Sequence, residues 1–328
     1  MQIRNMAGFR IRSIYTSQPD AKNSIETLGI PQGEIEKYAQ IALKLGVQET
    51  RIMDKEDIFE LVSKTIRVTL QNADLDILDI STIICVTQTH TYLIPGFSSL
   101  LQVAMEFSPE TRFLDLSQGC AGFVDGIQLA SQICSQTNEK ILLITSEVMS
   151  SALDPQDYGN RLLFGDACSV TLIEYDENAS DIFGFMKYDG KGSRGAFLKS
   201  NNFNLGSNFF SLNGPAVFAL ALKAFEDAKQ FIDQLNVGFE ELNSIVPHQA
   251  NTFILDKIAA KYGISNILVN EMMFTGNTSS NSIPLALTTR SKGAEKFFGK
   301  NTLCVGFGNG FSWGSILVDF SETQFGQA

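Results

Sequence analysis

Short unbroken apolar runs alternate along this chain with longer stretches of helical spacing. Ser81 to Thr87 (STIICVT) and Ile141 to Ser146 (ILLITS) have no polar face, the pattern of strands covered on both sides in a parallel or mixed layered sheet. Leu162 to Tyr175 (LLFGDACSVTLIEY) and Thr111 to Leu116 also read as strands, residues 1–15 alternate enough for another, and Ile245 to Pro247 is a short one ending at His248. Helical spacing predicts helices over 32–47 (ending near Gly46), Lys55 to Asn72, Ser98 to Phe107, Cys120 to Ile133, Gly214 to Leu235 and Asn251 to Tyr262. Pro215, early in the fifth of these, fits a first helical turn. The sum is an α/β protein. Residues 176–211, rich in Gly, Asn, Ser and Phe, have no clear period and mark a junction between two halves, 1–176 and 177–328.

The halves repeat in order and spacing. LDISTIICVTQTH, ending at His90, corresponds to FEELNSIVPHQAN, which passes through His248. Thirty residues after His90 comes Cys120 at an expected helix start, and twenty-nine after His248 comes Asn277 in MFTGNTSSNSIPLAL. KILLITSE then matches KNTLCVGFG, and GDACSVTLIEYD matches GFSWGSILVDF. Two such halves packed about a pseudo-twofold axis bring equivalent helix starts together at the centre, so Cys120 and Asn277 can face one site.

Composition narrows the chemistry. A chain of 328 residues, 44% hydrophobic, can bury a large core. Five cysteines without CxxC spacing, mostly in apolar segments, argue against a disulfide framework and for a reducing compartment. No run reaches bilayer length without charges, and the first residues lack the pattern of a secretory leader, so a cytoplasmic protein without membrane insertion is expected. A net charge of −11 disfavours nucleic acid, and two histidines with no clustered ligands predict no metal.

Within that frame Cys120 is the candidate nucleophile. A thiol in the first turn of a helix meets free backbone N–H groups and the positive end of the helix dipole, which favour the thiolate. A buried structural cysteine explains the residue equally well. His248, presented by the end of a buried strand, is the better placed of the two imidazoles, although a core histidine would look the same. Asn277 in GNTSSN also fits a simple turn and cap. VGFGNGFSWGS, residues 305–315, resembles a phosphate cradle but lies between two strands, which excludes a dinucleotide fingerprint. Its glycines let backbone approach a substrate, so that the Gly308 N–H could hold an oxyanion, and a tight β-connection accounts for them too.

GCAGF around Cys120, RLLFGDA at 161–167, LNGPAVF at 212–218, PHQAN around His248, GNTSSNSIP around Asn277 and GFGNGFSWGS near the end stand in this order over nearly the whole chain. Together they resemble the β-ketoacyl-ACP synthase III family of the thiolase superfamily. The resemblance implies a five-layered αβαβα fold of two pseudo-duplicated halves, a homodimer, and a Cys/His/Asn triad at Cys120, His248 and Asn277. Cys120 would attack an acyl thioester, with the Cys120 and Gly308 amides as oxyanion hole. Malonyl-ACP would then lose carbon dioxide, His248 and Asn277 would hold the enolate oxygen, and the carbanion would attack acyl-Cys120 to give a 3-oxoacyl thioester. No cofactor is implied.

The resemblance also implies that Phe307 lies beside the thiol and that Tyr92, Leu93 and Ile94 help close an acyl tunnel across the dimer interface. Lys257 and Lys261, with Lys223, match the surface that receives the acidic acyl carrier protein. Two arginine positions and an N-terminal tryptophan that hold coenzyme A in housekeeping members are replaced: Tyr158 and Phe253 occupy the former, and the sole tryptophan is Trp313. Loss of those groups predicts a donor other than acetyl-CoA. Three rival readings remain at this stage: acyl transfer from Cys120 to an alcohol or amine without decarboxylation, a noncatalytic partner subunit, and a Cys/His/Asn hydrolase on another fold.

Overall fold

The computed structural model describes residues 1–55, 57–89, 94–191, 209–292, 297–308 and 310–328, with the backbone of 196–197. In chain order the strands are β1 (Arg4–Met6), β2 (Phe9–Ser17), β3 (Thr82–Val86), β4 (Arg112–Leu116), β5 (Lys140–Glu147), β6 (Ala167–Tyr175), β7 (Ile182–Tyr188), β8 (Ser244–Pro247), β9 (Thr302–Gly308), β10 (Ser312–Val318) and β11 (Gln324–Gln327). Two ribbons of two-residue strands lie outside this numbering. The helices are α1 (Ile35–Leu45), α2 (Ile58–Asn72), α3 (Phe97–Met105), α4 (Gly122–Thr137), α5 (Tyr158–Leu163), α6 (Gly214–Gln234), α7 (Thr252–Tyr262), α8 (Met272–Thr275) and α9 (Ser282–Arg290).

Local chemistry sets these ends. Gly46 closes α1 in the left-handed conformation that glycine adopts without strain. Asp57 caps α2 by accepting from the Phe59 amide at 2.9 Å, so this helix starts three residues later than its polar lead-in suggests. Asn213 caps α6 through the Ala216 amide at 3.1 Å. The helix expected from Cys120 begins at Gly122 instead, with Ala121 at the cap position, and Cys120 lies in the preceding turn.

Two sheets carry the fold, one in the order β11-β2-β6-β5-β3-β4 and one in the order β1-β7-β10-β9-β8. The duplication is visible strand by strand. Along β2-β6-β5-β3 the pairings run antiparallel, antiparallel, parallel, and along β7-β10-β9-β8 they run the same way. Where β4 continues the first sheet parallel to β3, the second has a single parallel bridge from Ile245 to Leu268. The helices follow suit: α2 precedes β3 as α6 precedes β8, and α4 and α9 follow the equivalent outer segments. The sheets also exchange edges, since β1 joins the second and β11 the first.

Strand β7 falls inside the stretch that the sequence pattern leaves irregular. Gly184 interrupts its apolar run because it lies between β1 and β10, where an added Cβ would come within 3.0 Å of both Met6 and Ile316. Half of its remaining positions are only partly buried, which blurs the period further.

Strand alternation distributes the core into layers. Ile83, Cys85, Leu142 and Ile144 point to one face and pack on Val62 and Ile66 of α2 and Leu101 of α3. Ile84, Val86, Ile141 and Leu143 point to the other, against Phe123 and Ile127 of α4 and Ile283 and Leu287 of α9. Cys304, Ile316 and Val318 of the second sheet reach the same central layer, whereas Leu303, Val305 and Leu317 cover Phe225 of α6 and Ile254 of α7. The result is α2/α3, sheet, α4/α9, sheet, α6/α7: five layers. Helix α4 has sheets on both sides, so Phe123, Val124, Ile127, Ala130 and Cys134 are all fully buried. Full burial of each large apolar side chain contributes roughly 1.5–3 kcal/mol, and the starts of α4 and α9 are thereby fixed at the centre. No helix among the described residues is long and apolar enough to cross a membrane.

Candidate active site

All five cysteines are free thiols, and four are core residues: Cys85 in β3, Cys134 in α4, Cys168 in β6 and Cys304 in β9. Cys120 alone keeps part of its surface open. It sits in the turn between β4 and α4, where the Gly122 amide donates to the Gly119 carbonyl at 2.6 Å. Its position just outside the helix keeps it near the amide-rich end, yet its sulfur is deep enough for desolvation to dominate. Burial pushes the thiol up to about 12, helped by the nearby charge of Glu147 and opposed by a hydrogen bond with Ser279. The lowered thiol expected from the helix start is therefore not found in this structure, because burial outweighs the backbone contribution.

His248 follows directly on β8, its amide donating to the Val305 carbonyl at 2.8 Å. The imidazole is 2% exposed and stands edge-on to the Phe307 ring, centroids 5.2 Å apart at 83°. Burial lowers it to about 3, against a contact with the Ser279 backbone, so it is neutral throughout the physiological range. Its Nδ1 has no hydrogen-bond partner among the described residues. Phe307, expected beside the thiol, is fully buried in β9 with its ring on this imidazole.

Asn277 is stitched to the segment after α5: its amide donates to the Leu163 carbonyl at 2.8 Å, and its carbonyl accepts from the Gly165 amide at 3.0 Å. Oδ1 accepts from the Ser279 amide at 2.9 Å, and Nδ2 donates to the Ala250 carbonyl at 3.4 Å. This orients the side-chain amide and leaves Nδ2 a second hydrogen. The turn is held from below by Asn281, whose Nδ2 donates to the Ala167 carbonyl at 2.8 Å and whose Oδ1 accepts from Thr145.

Ser279 joins these parts. Its amide meets Asn277, its backbone contacts His248, and its hydroxyl lies 3.8 Å from Cys120 Sγ and 3.3 Å from Glu147 Oε1. It does so with φ +52°, a left-handed conformation that costs a non-glycine residue about 1–2 kcal/mol. Strain of this kind is retained where the surroundings enforce it, as at functional sites. Ser279 and Glu147 both escaped the sequence reading: one lay in a turn motif, the other was the last residue of an apolar strand.

Gly308 stands against the thiol. A Cβ there would come within 2.5 Å of Cys120 Cβ and 3.1 Å of Sγ, so only glycine allows β9 to run this close. Gly308→Ala should therefore force β9 or the Cys120 turn to shift, destabilising the protein by about 1–3 kcal/mol. A thermal melt checks this; an unchanged midpoint would show that the two segments part without cost.

The remaining candidates lie apart. Tyr92 and Leu93 fall outside the described residues, and Ile94 is 89% exposed ahead of α3. Lys257 and Lys261 are exposed on α7, their ammonium groups 5.6 Å from the Phe253 ring and 5.1 Å from the Tyr262 ring. Lys223, on α6, is over the Trp313 ring at 4.4 Å. The Trp313 indole donates to Asp227 at 2.7 Å. Tyr158 packs edge-on to Tyr38, and Phe253 is 52% exposed.

Residues 114–190 match the family model described as 3-oxoacyl-[acyl-carrier-protein (ACP)] synthase III, and residues 232–320 match that of its C-terminal part. The chain is 32% identical over 292 residues to a β-ketoacyl-[acyl-carrier-protein] synthase III of Streptococcus uberis, covering 85% of this chain and 89% of that one. It is 28% identical over 331 residues to the same-named protein of Clostridium perfringens, covering 97% and 99%. Among solved structures, a 3-oxoacyl-(acyl-carrier protein) synthase from Burkholderia xenovorans superposes with a TM-score of 0.90 at 22% identity, covering 100% of this chain and 99% of that one. The 3-oxoacyl-[acyl-carrier-protein] synthase III of Aquifex aeolicus does so at 0.84 and 25%, covering 95% and 100%.

Proposed function

Because this chain belongs to the 3-oxoacyl-[acyl-carrier-protein] synthase III family, we propose that it catalyses the decarboxylative condensation of an enzyme-bound acyl group with malonyl-ACP. The half 1–176 supplies the nucleophile and the half 177–328 supplies His248 and Asn277. The observation that carries the reading is the meeting of Cys120, His248 and Asn277 around Ser279, with glycine backbone against the thiol.

Each group has work that suits its environment. Cys120 attacks the acyl thioester, and the Cys120 and Gly308 amides hold the tetrahedral oxyanion. Loss of carbon dioxide from malonyl-ACP leaves an enolate, whose oxygen takes hydrogen bonds from His248 and from the second hydrogen of Asn277 Nδ2. A neutral imidazole suits this task, since it polarises an oxygen as a hydrogen-bond donor. The carbanion attacks acyl-Cys120, the Cys120–acyl bond breaks, a 3-oxoacyl-ACP leaves, and the expelled Cys120 thiolate takes a proton from solvent to restore the thiol.

Charge and topology support two further assignments. Lys257 and Lys261 offer a cationic face on a protein of net charge −11, suited to an acidic carrier protein, and Lys223 is a secondary contact. The outer edge of β4 closes the six-stranded sheet with a half-exposed strand, an edge that a second copy would cover in a homodimer. Ile94, exposed near that edge, belongs with Tyr92 and Leu93 to the segment that would close the acyl tunnel. With aromatic Tyr158 and Phe253 where the family resemblance expects arginines that hold coenzyme A, the donor is an acyl chain on carrier protein or a specialised thioester, and acetyl-CoA is a poor primer.

The deciding assay follows carbon dioxide from labelled malonyl-ACP alongside the intact mass of the enzyme. Acyl-ACP should load Cys120 faster than acetyl-CoA, and carbon dioxide should appear in proportion to 3-oxoacyl-ACP. Transfer of the acyl group to an alcohol or amine without carbon dioxide would replace this reading with simple acyl transfer.

A further inference from the structure

Glu147 ends β5 inside the protein, fully buried. A carboxylate in such a place is costly unless it is paired, yet among the described residues the hydrogen bonds it accepts come from uncharged groups. Oε2 accepts from the Gln88 amide at 3.2 Å and the Thr89 hydroxyl at 2.8 Å, and Oε1 from Ser280 at 3.0 Å and Ser279 at 3.3 Å. Among the described residues the groups that donate to it are thus neutral, from the loop after β3 and the turn before α9, and the described titratable group whose charge it influences is the Cys120 thiol.

The two oxygens differ in what lies beyond their donors. Oε2 braces a loop, because Thr89 Oγ1 also accepts from the Val148 amide at 2.8 Å. Oε1 looks toward the chemistry through Ser279, whose hydroxyl is placed to accept from Cys120 Sγ at 3.8 Å. Sulfur, hydroxyl and carboxylate form one directed chain from Cys120 to Glu147. The alternative destination for the thiol proton is less basic: burial lowers His248 to about 3, while it raises Glu147 to about 7.

We propose that Glu147, acting through Ser279, is the positioning residue that takes up the Cys120 proton as the acyl thioester is attacked. As the sulfur forms its bond to the acyl carbon, the Sγ proton passes to Ser279 Oγ and the Ser279 hydroxyl proton passes to Glu147 Oε1. When the tetrahedral intermediate collapses, the bond to the donor's sulfur breaks, and the same chain in reverse protonates the departing thiolate. Glu147 begins and ends the half-reaction as a carboxylate, and no thiolate has to persist in the resting enzyme. The step rests on the reading of Cys120 as the acylated nucleophile and supplies its missing base.

The test is the pH profile of Cys120 alkylation by iodoacetamide, located by peptide mapping, in the wild type, Glu147→Gln and Ser279→Ala. This reagent needs no carrier substrate, so failure of the condensation reading would not disturb it. In the wild type the rate should rise through an inflection near the Glu147 value of about 7. Both variants should lose that inflection, with rates on the plateau about tenfold lower or more. Their alkaline limbs should then separate. Glu147→Gln removes a negative charge that raises the thiol and moves its limb to lower pH, whereas Ser279→Ala removes a hydrogen bond that lowers the thiol and moves it to higher pH.

A structural role for Glu147 would scale the rate uniformly across pH, and that result, or survival of the neutral inflection in both variants, overturns the proposal. If Glu147→Gln fails to fold, Ser279→Ala decides alone by the same inflection. Absence of any Cys120 adduct in the wild type would overturn both this step and the nucleophile assignment.

Discussion

Cys120→Ala should abolish the acyl-enzyme and with it the condensation, by at least about 10⁴-fold, while the protein keeps its fold. The Sγ atom makes one described side-chain hydrogen bond, to Ser279, and the turn that holds it is fixed by backbone and by the glycine of β9. Deleting one sulfur leaves a small cavity at a position already open on one side, so the thermal midpoint should shift by only a few degrees. Intact mass after incubation with acyl-ACP reads the first expectation, and a melt reads the second. An adduct persisting on the Ala variant would move the nucleophile to another thiol. The other four cysteines are poorly suited: burial holds Cys134 and Cys168 up to about 12 and Cys85 well above its ordinary value, and all four lie within the packed core.

What was legible in the sequence was what repeats or what is scarce. The runs STIICVT and ILLITS declare buried strands because they lack a polar face, LLFGDACSVTLIEY is a strand only from Ala167 because Leu162 and Leu163 end α5, and β3, β5 and β6 lie inside their sheet. The matched segments of the two halves give the same order and the same pairings, so the meeting of Cys120 and Asn277 followed from duplication. His248 stood out because the chain has two histidines. β7 was lost because its glycine and half-buried positions serve its neighbours across the sheet more than a local period. The site's electrostatics were not legible at all. A helix start suggests an activated thiol, but how deeply the sulfur is buried, and that a glutamate at the end of β5 lies near it, are products of packing between separate segments of the chain.

His248→Ala should divide the two half-reactions. If the imidazole serves the enolate and Glu147 the thiol, the variant should load acyl groups on Cys120 within about threefold of the wild-type rate, while condensation with malonyl-ACP falls by about 10²–10⁴-fold. Asn277 gives a less clean cut, since its Oδ1 holds the Ser279 amide, and removing it would disturb the proposed proton path together with the enolate site. Removing the ring of His248 leaves a space beside Phe307, and a destabilisation of about 1–3 kcal/mol should accompany the change. That loss acts on both half-reactions alike, so a fall confined to condensation cannot come from it. Rapid-quench measurement of acyl-Cys120, followed by addition of malonyl-ACP, separates the steps in one sample. Should acylation fall in step with condensation while a thermal melt shows the variant fully folded at the assay temperature, the imidazole takes the thiol proton despite its burial, and the path through Ser279 to Glu147 carries none of it.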